Sequence, residues 1–287
     1  MRGGRDMSFL LGLCQMRVEK DKQKNLQRGE AMIREAAKKG AEMIALPEIF
    51  NCPYSNKFFR EYAETSQGQT VSMLSSLAKE LSVYIVGGSI PELDDDKVYN
   101  TSFIFNRQGE IIGKHRKIHM FDIDIAGGIS MKESDILTPG DRMTVVDTEF
   151  GKIGVAICYD SRFPELFRNM ALAGAKLILL PAAYTLMTGI SHWDITMRAR
   201  ALDNQVFFAA ISPSRDPHGH YQAYGHSCVA TPWGEFSART DTRESVVLAE
   251  IDFEYIDSIR QQLPILRHRR PDIYRQAAEQ DYIGGEK

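Results

Sequence analysis

Apolar runs of strand length alternate along this chain with segments of helical period, and that alternation leaves few folds open to it. Residues 8–16 read as a buried first strand. Residues 25–39 read as a helix with Leu26, Ala31, Ile33, Ala36 and Ala37 on one face and Gly40 at its end, and Met43-Ile44-Ala45-Leu46 as a second strand that Pro47 stops. The pattern continues with a helix over 71–81, strands at 83–87, 101–105 and 111–112, a helix over 164–173, and the run 177–181. A helix over 193–204 and strands at 206–211, 227–230, 234–238 and 246–251 complete it. Strands alternating with helices, with hairpins between some of them, predict a mixed α/β sheet system covered by helices. No internal repeat or low-complexity linker divides the chain. One domain is therefore expected over residues 8–275, with 1–7 as an N-terminal extension, Met7 as an alternative start and 276–287 as a C-terminal tail.

At 287 residues the chain can bury a full core without covalent staples. A net charge of −3 provides no broad basic surface, so a small molecule is the expected partner rather than nucleic acid. No apolar run reaches the ~20 residues of a membrane span, and the first residues lack a signal-peptide core. Cys14, Cys52, Cys158 and Cys228 have no metal-site or disulfide-framework spacing, which fits a reducing cytoplasm. His218, His220 and His226 lack the carboxylate or cysteine partners of a metal site, and no phosphate-binding glycine motif occurs. The basic segment from Arg267 to Tyr274 is too poor in apolar residues to insert into a membrane, and reads as a strap across a partner subunit.

The chemistry concentrates at strand ends. Lys152-Ile153-Gly154-Val155-Ala156-Ile157 leads straight into Cys158, and Tyr159 to Glu165 turns into a helix, which seats a thiol at the mouth of a sheet. Glu48 follows the second strand and Lys117 follows the run from Ile111 to Arg116 in the same way. Strand ends on one side of a sheet converge, and a carboxylate, an ammonium and a thiol meeting there make an acyl-transfer site. Cys158 is then the nucleophile, with Lys117 and the helix end favouring its thiolate. Glu48 is the general base and acid, and Lys117 with the backbone N–H of Tyr159 holds the oxyanion. Each residue alone has a blander reading: a packed cysteine, a capping carboxylate, a solvated lysine.

Leu46-Pro47-Glu48, His115-Arg116-Lys117-Ile118-His119 and Gly154-Val155-Ala156-Ile157-Cys158-Tyr159-Asp160 resemble the three signature blocks of the nitrilase superfamily of carbon–nitrogen hydrolases. The stretch from Lys117 to Asp124 and Gln261-Gln262-Leu263-Pro264 are most similar to its omega-amidase branch. The resemblance implies an α-β-β-α sandwich that pairs into a four-layer dimer, a Glu48-Lys117-Cys158 triad, and Glu133 as a second glutamate placing substrate and lysine. It implies hydrolysis of the terminal amide of short dicarboxylic acid monoamides, such as alpha-ketoglutaramate, through a Cys thioester, without metal or organic cofactor. An N-carbamoyl amide hydrolase, a true nitrilase and a non-catalytic scaffold are the alternatives. An anionic substrate tail needs a counter-charge. Arg162 and the group Tyr54, Tyr184 and His192 are the candidates, whereas Arg198 and Arg200 read as structural ion pairs.

Overall fold

Successive residues of a strand point to opposite faces, and in this chain both faces of the central strands are buried. The computed structural model describes residues 8–126, 130–217, 219 and 221–274. The first half contains β1 (Ser8–Gln15), α1 (Lys22–Lys38), β2 (Met43–Ala45), α2 (Asn56–Tyr62), α3 (Gln69–Leu81), β3 (Tyr84–Val86), β4 (Ile90–Asp94), β5 (Lys97–Phe105) and β6 (Ile111–Arg116). A small hairpin, β7 (Asp122–Asp124) with β8 (Ser130–Lys132), leads into the second half. There β9 (Thr144–Thr148), β10 (Gly151–Val155), α4 (Pro164–Leu172), β11 (Leu177–Pro181), α5 (Leu186–Asn204) and β12 (Phe207–Ile211) are followed by β13 (Cys228–Ala230), β14 (Phe236–Arg239), β15 (Ser245–Asp252) and α6 (Phe253–Gln262).

Two sheets result. One runs β15-β1-β2-β3-β5-β4 with β6 on β5, the other β14-β13-β12-β11-β10-β9. β1, β2 and β3 are parallel, as are β10, β11 and β12, and β15 returns antiparallel to β1 along its whole length. The alternation sorts the core into layers. Leu11, Leu13, Met43, Ala45 and Val86 of the first sheet meet Ile153, Val155, Leu177, Leu179 and Ile211 of the second. The opposite faces pack under helices: Ile44 and Ile85 against Leu26 and Ile33 of α1 and Leu74 of α3, and Ile178 and Phe208 against Met170 of α4 and Trp193 and Met197 of α5. The expected α-β-β-α sandwich is therefore the fold of the chain.

Local signals explain most element ends. Asp21 caps α1 by accepting from the Lys24 N–H, and the buried face of that helix is Leu26, Met32, Ile33 and Ala36, while Ala31 is exposed. α5 begins two turns before the expected start, because Thr185 accepts from the Thr188 N–H at 3.4 Å and caps it. The extension 1–7, the tail 276–287 and the histidines His218 and His220 lie outside the described residues. Among the described residues no helix is long and apolar enough to cross a membrane.

The loop leaving β2 is packed tightly from behind. Gly88 has φ +55, and a Cβ there would lie 2.1 Å from the Pro47 carbonyl oxygen and 3.0 Å from the Leu46 Cβ. Left-handed backbone and this close approach both demand glycine. Gly88→Ala is expected to cost on the order of 3 kcal/mol through overpacking and backbone strain, read as a lowered midpoint in urea unfolding. An unchanged midpoint would show that the Glu48 loop yields freely.

Candidate active site

Glu48 stands two residues beyond Leu46 at the carboxyl end of β2, and the next residue, Ile49, has φ +49, rare for a β-branched side chain. The Ser89 hydroxyl accepts from the Ile49 N–H at 3.0 Å and holds that turn. The Glu48 carboxylate is buried and accepts from the Ala183 N–H at 2.8 Å, Asn100 Nδ2 at 2.9 Å and Lys117 Nζ at 3.2 Å. Lys117 follows β6 and is fully buried, a position that an ammonium occupies only when paired. It lies 2.8 Å from Glu133 as well as 3.2 Å from Glu48. Glu133 also accepts from the Phe121 N–H at 2.7 Å and the Tyr54 hydroxyl at 2.5 Å. Residues from four separate stretches of chain thus meet around one cation.

Cys158 comes three residues after the end of β10, is nearly buried, and opens a short 3-10 turn, Cys158–Arg162. Its φ of +43 makes it a non-glycine residue in the left-handed region, a strained turn that lifts the thiol out of the strand direction. The first i→i−3 bond of the turn runs from the Asp160 N–H to the Ile157 carbonyl at 3.0 Å. The Tyr159 N–H precedes it, one of the end donors a helix leaves without an intrahelical acceptor.

Burial raises the Glu48 carboxyl above its usual range; Lys117 opposes the shift and Glu133 adds to it. Burial works against the Lys117 ammonium, but Glu133 and Glu48 outweigh it and hold the proton. Burial, with the Glu48 charge, pushes the Cys158 thiol well up, and Lys117 offsets only part of this. Burial, and two carboxylates facing one ammonium, thus oppose the thiolate that the nearby lysine alone would favour.

A cavity of about 660 Å³ opens onto this group, with Glu48, Tyr54, Ala183 and Tyr221 among its lining residues. Of the residues expected to hold a substrate tail, only Tyr54 lines it. The Arg162 guanidinium sits 4.9 Å over the Tyr184 ring, and the Tyr184 hydroxyl bonds Ser161 Oγ at 2.5 Å, so both brace the turn that Cys158 opens. His192 is exposed, because Trp193 takes the inward position of α5 and its neighbour points about 100° away. Arg198 and Arg200 donate to the carbonyls of Gly234 and Ser161, without ion pairs among the described residues. His226 Nδ1 lies 3.2 Å from the Thr240 carbonyl, and among the described residues no cluster of His, Cys, Asp or Glu could hold a metal ion.

Asp160 is the residue whose part the motif hides. Fully buried, it accepts from the N–H groups of Ile157 at 2.9 Å, Ile118 at 3.3 Å and His119 at 3.0 Å, and is bonded by His115 Nε2 at 3.1 Å and His119 Nδ1 at 2.8 Å. One carboxylate therefore ties the cysteine turn to the backbone that carries Lys117. Burial alone would raise its pKa, yet the hydrogen bonds from His115 and His119 hold it well below the usual carboxylate range. A depressed folded-state pKa means stabilisation that is complete above the unfolded value of about 3.9 and is lost as pH falls towards the folded one. Asp160→Asn is expected to cost about 3 kcal/mol at pH 7. The gap between wild type and variant in urea unfolding should narrow below about pH 4, and a gap independent of pH would contradict this assignment.

The carbon-nitrogen hydrolase family model matches residues 10–261. An omega-amidase of Xenopus tropicalis is 49% identical over 266 residues, covering 93% of this chain and 96% of the relative, and nitrilase homolog 2 of Dictyostelium discoideum is 50% identical over 89% of this chain and 78% of its own. The crystal structure of Saccharomyces cerevisiae Nit3, a member of branch 10 of the nitrilase superfamily, superposes with a TM-score of 0.85 at 42% identity, covering 92% of this chain and 97% of Nit3. The chain belongs to the carbon-nitrogen hydrolase family, within the nitrilase superfamily.

Proposed function

We propose that this protein is an omega-amidase, hydrolysing the terminal amide of short dicarboxylic acid monoamides to the acid and ammonia through a thioester on Cys158. The observation that carries the reading is the buried Lys117, paired with Glu48 and Glu133, with the raised Cys158 thiol beside Glu48 and Glu48 itself lining a cavity. The similarity to relatives named omega-amidase supports the choice of substrate.

Glu48 takes the Cys158 proton as sulfur attacks the amide carbon, so no free thiolate has to exist beforehand. The oxyanion meets Lys117 Nζ and the Tyr159 N–H; losing one such donor costs on the order of 3 kcal/mol of barrier. Glu48 passes its proton to the departing nitrogen, and ammonia leaves a thioester. Water then gives a proton to Glu48 and attacks the acyl carbon, and the proton returns to sulfur as the acid leaves. Glu133 keeps Lys117 in place, and the Asn100 amide and Ala183 N–H keep the Glu48 carboxylate aimed at the thiol.

The protein acts, on this reading, as a homodimer or larger homo-oligomer. α5 carries exposed Met187, Ile190, Ile195 and Leu202, and Leu172 at the end of α4 is exposed as well. A face this apolar is commonly an interface. The four cysteines are buried and unpaired, which supports a reducing compartment such as the cytoplasm.

Ammonia release should be measured across monoamides of four-, five- and six-carbon dicarboxylates, with and without a 2-oxo group. Turnover is expected for at least one, with kcat lowered at least about a thousandfold in Cys158→Ala, and turnover retained by that variant with the fold intact would overturn the scheme. Because the Glu48 carboxyl is raised, the acid limb of kcat/KM should fall above the ordinary carboxylate value of about 4.3. For the assembly, Ile190→Asp with Ile195→Asp should yield a smaller species by light scattering, and an unchanged mass would place the interface elsewhere.

A further inference from the structure

The cavity has three kinds of lining: Glu48 and Ala183 belong to the buried polar group, Ile49, Phe58 and Tyr221 supply apolar wall, and Lys20 and Lys57 are the cations among its lining residues. The acidic residues that also line it are neutralised: Glu19 by Lys24 and Arg28, and Asp216 by Arg17 at 2.9 Å. Lys20 and Lys57 have no ion-pair partner among the described residues, and Lys20 Nζ lies 6.0 Å over the Phe58 ring. An amide carbon, a short methylene spacer and a terminal carboxylate match those three kinds of lining in chemistry.

We propose that Lys20 and Lys57 are the specificity-determining cations that receive the distal carboxylate of the substrate, an inference that rests on the proposed omega-amidase reading. Lys57 is fixed by its backbone: it is the second residue of α2, and its N–H donates to the Ser55 cap at 3.4 Å. Lys20 precedes α1, and its ammonium lies 6.0 Å over the ring of Phe58, the residue that follows Lys57. Both lysines are exposed, so neither carries a standing desolvation cost. A carboxylate arriving between them gains a charge-assisted contact with each. This replaces Arg162 and His192, which are committed to Tyr184 and to solvent.

The test reads binding apart from turnover. In the Cys158→Ala background, calorimetry measures Kd for glutaramate and for 5-methylhexanamide, in which an uncharged isopropyl group replaces the carboxylate. Lys20→Met and Lys57→Met are each expected to raise the glutaramate Kd about fivefold, and the double variant about twentyfold. The Kd for 5-methylhexanamide should stay within twofold, and Lys57→Arg should restore most of the glutaramate affinity. Added salt should weaken glutaramate binding in the background protein and much less in the double variant. Glutaramate affinity unchanged by both lysine substitutions would overturn the proposal. Absence of turnover in the wild type would instead overturn the amidase reading, while lysine-dependent binding would still support these two cations as a carboxylate site.

Discussion

One buried ammonium organises the molecule. Lys117 has no access to water, and an unpaired charge at such a depth would cost several kcal/mol, so the structure depends on Glu48 and Glu133 reaching it together. Those carboxylates come from opposite sides in sequence, one at the end of β2 and one in the segment after β8. Tyr54 bonds both of them, and the Phe121 N–H bonds Glu133. Removing one member weakens the pairing of the others at a depth where water cannot replace it, which is why this polar group acts as a single structural unit.

The sandwich supplies the frame for that unit. Parallel strands in each sheet send their carboxyl ends the same way, so the turns after β2, β10 and β11 deliver Glu48, Cys158 and Ala183 to one place. Asp160 then couples the cysteine turn to the lysine backbone through five donors. The electrostatic result is a paired cation beside a thiol and a carboxyl that are both raised by burial, an arrangement that suits proton transfer from the thiol to the carboxylate in the same step as attack.

Much of this was legible in the chain because polar residues directly after apolar runs are conspicuous. Glu48, Lys117 and Cys158 could be found from that placement, and the layered fold from the period of the runs. The roles that stayed hidden depend on distant partners. Asp160 sits inside a visible motif, yet its donors His115 and His119 lie 45 and 41 residues away, and the Ala183 N–H that aims Glu48 lies 135 residues away. The start of α5 was missed because apolar residues occur on its outer face as well as its inner one, which blurs the period. The upward shift of the Cys158 thiol is hidden for a different reason: local sequence shows the nearby lysine, but burial and the second carboxylate belong to the assembled fold.

The central claim is that the group around Lys117 makes Cys158 the atom that carries the acyl chain. Intact-protein and peptide mass spectrometry on acid-quenched turnover mixtures tests it most directly. The account predicts a transient mass gain equal to the substrate less ammonia, located on the peptide that contains Cys158. Ammonia release at full rate with the acyl mass on another residue would contradict it.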